Sequence, residues 1–255
     1  MRRDILRVPG LVLSVVLTAA HPGSSQEVPG SSPGPFARIV TIEPKAAQEA
    51  AFEAGYQRHL AWHRGQHDSW TWYGWSFVLG ERLGLFMDGT FGHAPADFDH
   101  AVNPAGDGAD NAVNVVPNAD FRSHGVYERL TAVSSSAALP DTSRLLALTT
   151  YWVRPGQEAQ FEALLATTHA AWRRVPQPAP PYAWFRLGLG GSPPEYLLLR
   201  PVASFASAAV LPDIFAVGAG TVRASSAVSR DPLLASVIRV RSELLRYRPD
   251  MSYHP

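Results

Sequence analysis

The chain has 255 residues, 46% hydrophobic and 17% charged, which is enough apolar material for a packed core and too little charge for a disordered chain. Its 22 basic and 22 acidic residues balance, so no net field favours nucleic acid or an anionic membrane. It has no cysteine, which excludes disulfides, thiolate nucleophiles, iron–sulfur clusters and cysteine zinc sites.

Residues 1–20 read as a secretory signal. Arg2, Arg3 and Arg7 precede a short apolar run over 11–20, and the small residues Thr18 and Ala20 stand before a cut ahead of His21. The run is far shorter than the roughly 20 apolar residues a membrane crossing needs. The expected location is the periplasm or the medium. Residues 21–36 (HPGSSQEVPGSSPGPF) read as a Pro/Gly/Ser linker. A second polar stretch, 134–143, separates a first α+β repeat at 37–133 from a second at 144–255.

The two stretches share one order of features. An extended segment ends at Pro44 in the first and at Pro155 in the second. Helices follow, opening with Glu49 and Phe52 and with Glu158 and Phe161. Next come the similar runs HLAWHR (59–64) and HAAWRR (169–174), then aromatic strands at 70–75 and 182–186. A Gly turn, another strand and a short helix around Phe98 or Phe205 lead to closing strands at Arg122-Ser123 and Arg241-Ser242. The order β-α-β-β-α-β is the ferredoxin-like plan, and its recurrence points to internal duplication. Either half alone would leave one sheet face bare, so the halves are expected to cover each other.

On these features the chain resembles the dimeric α+β barrel superfamily, in particular antibiotic-biosynthesis-monooxygenase-like and NIPSNAP-like domains, in a fused, tandem form. The resemblance spans residues 37–250. It implies two antiparallel sheets closing into an intramolecular barrel with helices outside, and a small ligand or haem held within. It also implies a range of roles, from cofactor-free oxygenases to haem-dependent chlorite dismutase relatives. No catalytic set of that superfamily maps onto this sequence residue by residue.

Strand alternation separates two faces in each aromatic strand. Thr71, Tyr73, Trp75 and Phe77, with Ala183, Phe185, Leu187 and Leu189, form the more evenly apolar face and are assigned to helix packing. The other face is assigned to the barrel interior. There Trp70, Trp72, Tyr182, Trp184 and Arg186 form a candidate pocket for a flat apolar or anionic small molecule; the alternative is that these rings fill the core.

His59, His63 and His67 recur every four residues, and His59 and His63 fall on the helix face of Phe52 and Tyr56. Two histidines so spaced can hold a metal ion if a third ligand exists, or can be satisfied helix histidines. His59, His63 and His169 are the candidate metal or haem ligands. The interval from Phe52 to His59 is one residue shorter than that from Phe161 to His169, so the matching runs align only if one helix carries a π-bulge. The stretch 103–111 (NPAGDGADN) reads as a turn-rich insertion lacking the closing Glu of a calcium loop. No Walker loop, dinucleotide fingerprint or Gly-x-Ser-x-Gly elbow occurs.

The expected protein is therefore an exported α+β barrel that binds or oxidises a small hydrophobic or anionic molecule. A cofactor-free form is the first expectation, with haem or a divalent metal as alternatives. A non-enzymatic periplasmic binding or assembly module is the competing role, and the oligomeric state is left open.

Overall fold

The computed structural model describes residues 34–135, 143–175, 181–192, 194–216 and 235–255. The signal segment, nearly all of the first linker and most of the second lie outside the described residues.

Eight strands form one closed antiparallel barrel in the order β1-β3-β2-β8-β5-β7-β6-β4. The first half supplies β1 (Phe36–Pro44), α1 (Glu49–Gly65), β2 (Tyr73–Leu79), β3 (Phe86–His93), α2 (Pro104–Asn114) and β4 (Ala119–Arg129). The second supplies β5 (Leu145–Val153), α3 (Glu158–Trp172), β6 (Ala183–Leu189), β7 (Glu195–Val202), α4 (Phe205–Ala209) and β8 (Val237–Tyr247). Within each half the central strand pairs with the last and third, as β1 does with β4 and β3 and β5 does with β8 and β7. The seams are β2 against β8 and β4 against β6. Closure removes the unpaired edges that each four-stranded sheet would otherwise present. Among the described residues no helix is long and apolar enough to cross a membrane.

The barrel encloses a continuous apolar core of Ile39, Trp75, Phe77, Met87, Leu148, Phe185 and neighbours. This reverses the sequence assignment of faces. Trp75, Phe77, Phe185 and Leu187 point inward, while Trp72 packs with Phe52, Tyr56 and Leu60 of α1, and Tyr182 and Trp184 pack with Phe161, Leu164 and Leu165 of α3. The physical reason is that a closed barrel buries its inner face on all sides, so the most uniformly apolar strand face belongs there. The outer face is only partly roofed by helices and can carry polar groups near its open margins.

A second correction concerns residues 103–111. They form the start of α2, not a turn-rich insertion. Asn103 adopts a left-handed conformation (φ 35°) and its side chain accepts from the Gly106 amide, with Pro104 in the first helical position. Small residues let this helix lie close on α1: a Cβ at Gly55 would stand 1.9 Å from the Asn114 carbonyl oxygen.

Both long helices run as unbroken α-helix, with no π-bulge. They begin at equivalent residues, Glu49 and Glu158, which sets Phe161 against Phe52, Thr168 against His59 and Trp172 against His63. The HLAWHR and HAAWRR runs are thus out of register by one residue, and α3 has no counterpart of the α1 histidine pair.

Candidate metal centre

Residues three and four apart on a helix share a face, and α1 turns Phe52, Tyr56, His59 and His63 inward together. Immediately after α1 the chain doubles back. His67 takes a left-handed conformation (φ 53°), the Asp68 amide bonds to the His63 carbonyl, and the His67 amide bonds to that of Arg64. This pair of bonds is a Schellman end, made here without glycine. Its consequence is that the Asp68 carboxylate returns onto the His63 ring, Oδ2 to Nδ1 at 2.8 Å. Asp68 is fixed further by the Trp70 amide and by the Trp72 indole N–H, each donating to it.

From the other side α2 presents Asp107, Asp110, Asn111 and Asn114 on one face. Asp110 Oδ2 lies 2.8 Å from His59 Nδ1, and Asn114 accepts from Arg58. Each histidine therefore has its Nδ1 against a carboxylate, which selects the tautomer that donates from Nδ1 and leaves the lone pair on Nε2. Those two Nε2 atoms face each other at 3.2 Å. Asp107 Oδ1 completes a triangle, 3.4 Å from His59 Nε2 and 3.7 Å from His63 Nε2. The Asn111 amide borders it, donating to Asp107 Oδ1 and approaching His59 Nε2 at 3.2 Å.

Three electron-rich atoms converging on one point can hold a cation between them. The centre of a triangle with these sides is about 2.0 Å from every corner, matching the roughly 2.0–2.2 Å bonds that Zn²⁺ makes to imidazole nitrogen and carboxylate oxygen. The paired Asp110 and Asp68 reproduce the carboxylate–histidine–metal arrangement that orients metal-bound imidazoles. Three protein ligands leave at least one coordination position open.

The electrostatics agree with this geometry. Burial lowers the His59 pKa, while the Asp110 hydrogen bond and neighbouring carboxylates oppose the shift. For Asp68 burial works against ionisation, but hydrogen bonds from His63, the Trp70 amide and Trp72 outweigh it and hold the carboxyl below its ordinary range.

Beneath the helices, the outer face of the first sheet carries an adjoining polar group. Asp88 on β3 and His124 on β4 flank Val40 of β1, and Arg38 stands two residues before Val40 on the same face. Asp88 is buried and accepts from the Tyr56 hydroxyl at 2.9 Å through Oδ2, while its Oδ1 has no partner. Burial raises its pKa to about 6, against the pull of the Tyr56 hydrogen bond and the Arg38 charge. Desolvation and the adjacent Arg38 push His124 down to about 4. The Asp107 charge acts on Tyr56, Asp88 and His124, so the metal triangle and this group share one electrostatic neighbourhood.

The sequence-selected pocket residues do not come together. Trp70 and Trp72 flank the metal centre, Trp70 against His93 and Phe98, and Trp72 against His63 and Asp68. On the second half, Tyr182 donates to or accepts from His169 Nδ1 at 2.8 Å, Trp184 is core beneath α3, and Arg186 pairs with Glu128 and Glu162. The barrel interior holds a cavity of about 110 Å³ at one end, lined by Arg82, Arg241, Thr150 and Tyr127 among others. That is well short of the roughly 300 Å³ usual for a ligand pocket. His59 and His63 aim their Nε2 atoms at a point suited to a single ion. Asp107, Asp110 and Asp68 are the residues of the candidate site that the sequence did not single out. The one signal for the first two was the i, i+3 spacing within a segment read as loop.

The fold and this centre define an α+β barrel with a two-histidine, one-carboxylate site on its outer face. No family model matches the chain, and no curated protein matches it. Among solved structures it is similar to a monooxygenase candidate from Lactobacillus acidophilus NCFM at 10% identity and a TM-score of 0.53, covering 86% of this chain and 96% of the other. A candidate chlorite dismutase matches at 10% identity and 0.52, covering 85% and 95%. A mutant chlorite dismutase from Candidatus Nitrospira defluvii matches at 11% identity and 0.53, covering 87% and 94%. The chain therefore has the α+β barrel fold of monooxygenase-like and chlorite-dismutase-like structures, and identity at this level speaks for fold alone.

Proposed function

We propose that this protein is an exported metalloprotein that binds one divalent transition-metal ion through His59 Nε2, His63 Nε2 and Asp107 Oδ1, and uses the open coordination positions to act on a small molecule. The observation that carries this reading is the convergence of three ligand atoms about one centre, with each imidazole backed by its own carboxylate. A donor set of two imidazoles and one carboxylate suits zinc or iron(II), and with iron it is the set used for oxygen activation. The structural neighbours are described as monooxygenases and chlorite dismutases, so oxygen chemistry is the first reaction to assay. The shared strand order of the two halves supports a tandem origin. Loss of the histidine pair in the second half then makes the first half the working one.

The test is metal content. Protein purified without a His tag and dialysed against Zn²⁺ or Co²⁺ is expected to retain one equivalent, and His59→Ala and His63→Ala to retain none. Equal retention by the wild type and both variants overturns the reading. Haem is a second reading, favoured by the likeness to chlorite dismutase structures, and it requires a Soret band on reconstitution that is lost with His169→Ala or His59→Ala.

A further inference from the structure

Several arginines of this chain face carboxylates: Arg82 pairs with Glu243, Arg122 with Glu43, Arg186 with Glu128 and Glu162, and Arg248 with Glu53 and Asp250. Arg38 does not. Its Nε donates to His124 Nε2, its guanidinium lies over the Trp72 ring at 5.4 Å, and no carboxylate among the described residues is within ion-pair distance. The other face of the contact leads to the metal centre. The Trp72 ring lies 5.4 Å from that of His63, and its N–H is committed to Asp68. Guanidinium and metal-ligating imidazole are thus held within about 11 Å of each other by one shared indole.

The bond to His124 uses only Nε and the guanidinium carbon lies 5.4 Å from the Trp72 ring centre, which leaves the terminal nitrogens as donors. A guanidinium so held is built to take a carboxylate through two parallel hydrogen bonds. His124 is exposed, so this margin opens to solvent, while His59 and His63 lie deeper. The unpartnered Asp88 Oδ1 lies on the same sheet face. Trp70 and Phe98 add aromatic surface beside it.

Resting on the metal reading above, we propose that Arg38, seated on Trp72 and anchored by His124, binds the carboxylate of a small organic acid whose other end reaches the metal ion. A separation of at most about 11 Å between guanidinium and His63 ring is one that a single-ring or short-chain acid can span. The substrate class is thereby an aromatic or short aliphatic carboxylate, bound at one end by Arg38 and presented at the other to the open coordination position.

The experiment uses Co²⁺-loaded full-length protein, titrated with 4-hydroxybenzoate and with neutral 4-hydroxybenzamide while the cobalt d–d absorption is followed. 4-Hydroxybenzoate, with a carboxylate for Arg38 and a hydroxyl for the ion, is expected to perturb the spectrum saturably, and 4-hydroxybenzamide at least tenfold more weakly. Arg38→Met is expected to retain one Co²⁺ per chain and to lose at least tenfold in 4-hydroxybenzoate affinity. Should Arg38→Met not fold, Arg38→Gln, which keeps a donor for His124 and removes the charge, is expected to show the same loss. Unchanged 4-hydroxybenzoate affinity in a variant that retains Co²⁺, or equal binding of the acid and the amide by the wild type, overturns the assignment of Arg38. Failure of the wild type to bind Co²⁺ overturns the metal centre instead, so the two failures are distinguishable.

Discussion

Asp88→Asn gives a stability difference whose dependence on pH follows from the structure. Asp88 is 7% exposed, and burial raises its pKa from the ordinary 3.8 to about 6. The folded protein therefore holds this proton more tightly than the unfolded chain does. Stability from the protonated carboxyl is fully present below the unfolded value near 3.8 and is lost as pH rises through about 6. At about 1.4 kcal/mol per pH unit, the interval is worth ~3 kcal/mol. Asparagine copies the shape of the neutral acid. It accepts from Tyr56 with its oxygen and places an amide where the unpartnered Oδ1 now stands. Denaturant unfolding of metal-free protein, run with EDTA from pH 3.5 to pH 8, is the assay. Wild type and Asp88→Asn should be nearly equal at the acid end, and the variant should gain steadily to about 3 kcal/mol of relative stability above pH 7. A difference independent of pH, or a variant less stable than wild type at pH 8, refutes the account of this buried carboxyl.

Three further outcomes are expected. Asp68→Asn removes the anionic partner of His63 Nδ1 and should weaken Zn²⁺ binding about 10–100-fold by competition titration; unchanged affinity would show that Asp68 does not orient the ligand. Gly55→Ala forces a methyl into the Asn114 carbonyl and should lift α2, carrying Asp107 away from the histidines. Metal affinity should fall at least tenfold while far-UV circular dichroism keeps the barrel signature, and an unaltered affinity would contradict the close α1–α2 approach. Trp184→Ala, at a side chain 1% exposed beneath α3, should cost about 3–5 kcal/mol in chemical denaturation and leave metal stoichiometry unchanged. Loss of metal in a folded Trp184→Ala variant would contradict the separation of the two halves' outer faces.

The barrel's element order was legible because strand and helix periods leave clear marks in a single sequence. Pro44 ends β1, Phe52 and Phe161 sit inward on α1 and α3, and an aromatic strand follows each helix, although β5 stops at Val153, two residues before Pro155, and β2 begins at Tyr73, beyond Trp70 and Trp72. The inward aim of His59 and His63 was legible for the same reason, since helical spacing fixes which side chains share a face. Which sheet face lines the barrel was not. Both faces carry aromatics, and only closure, a long-range property, decides which is drier. The third metal ligand was hidden for a local reason. Gly106, Gly108, Asn103 and Pro104 give 103–111 the composition of a loop, and tertiary contact with α1 overrides that propensity to make a helix. Asp68 was visible as the residue after His67, but its return onto His63 depends on a left-handed non-glycine residue that no composition rule flags.

The most direct test of the metal centre is X-ray absorption at the zinc or cobalt edge of protein loaded with one equivalent. Two imidazole nitrogens and one carboxylate oxygen near 2.0–2.1 Å, completed by water and replaced by the spectrum of the free aqua ion in His63→Ala, is the result expected from His59, His63 and Asp107. A shell of oxygen atoms without imidazole scattering, or one indifferent to His63→Ala, would contradict it.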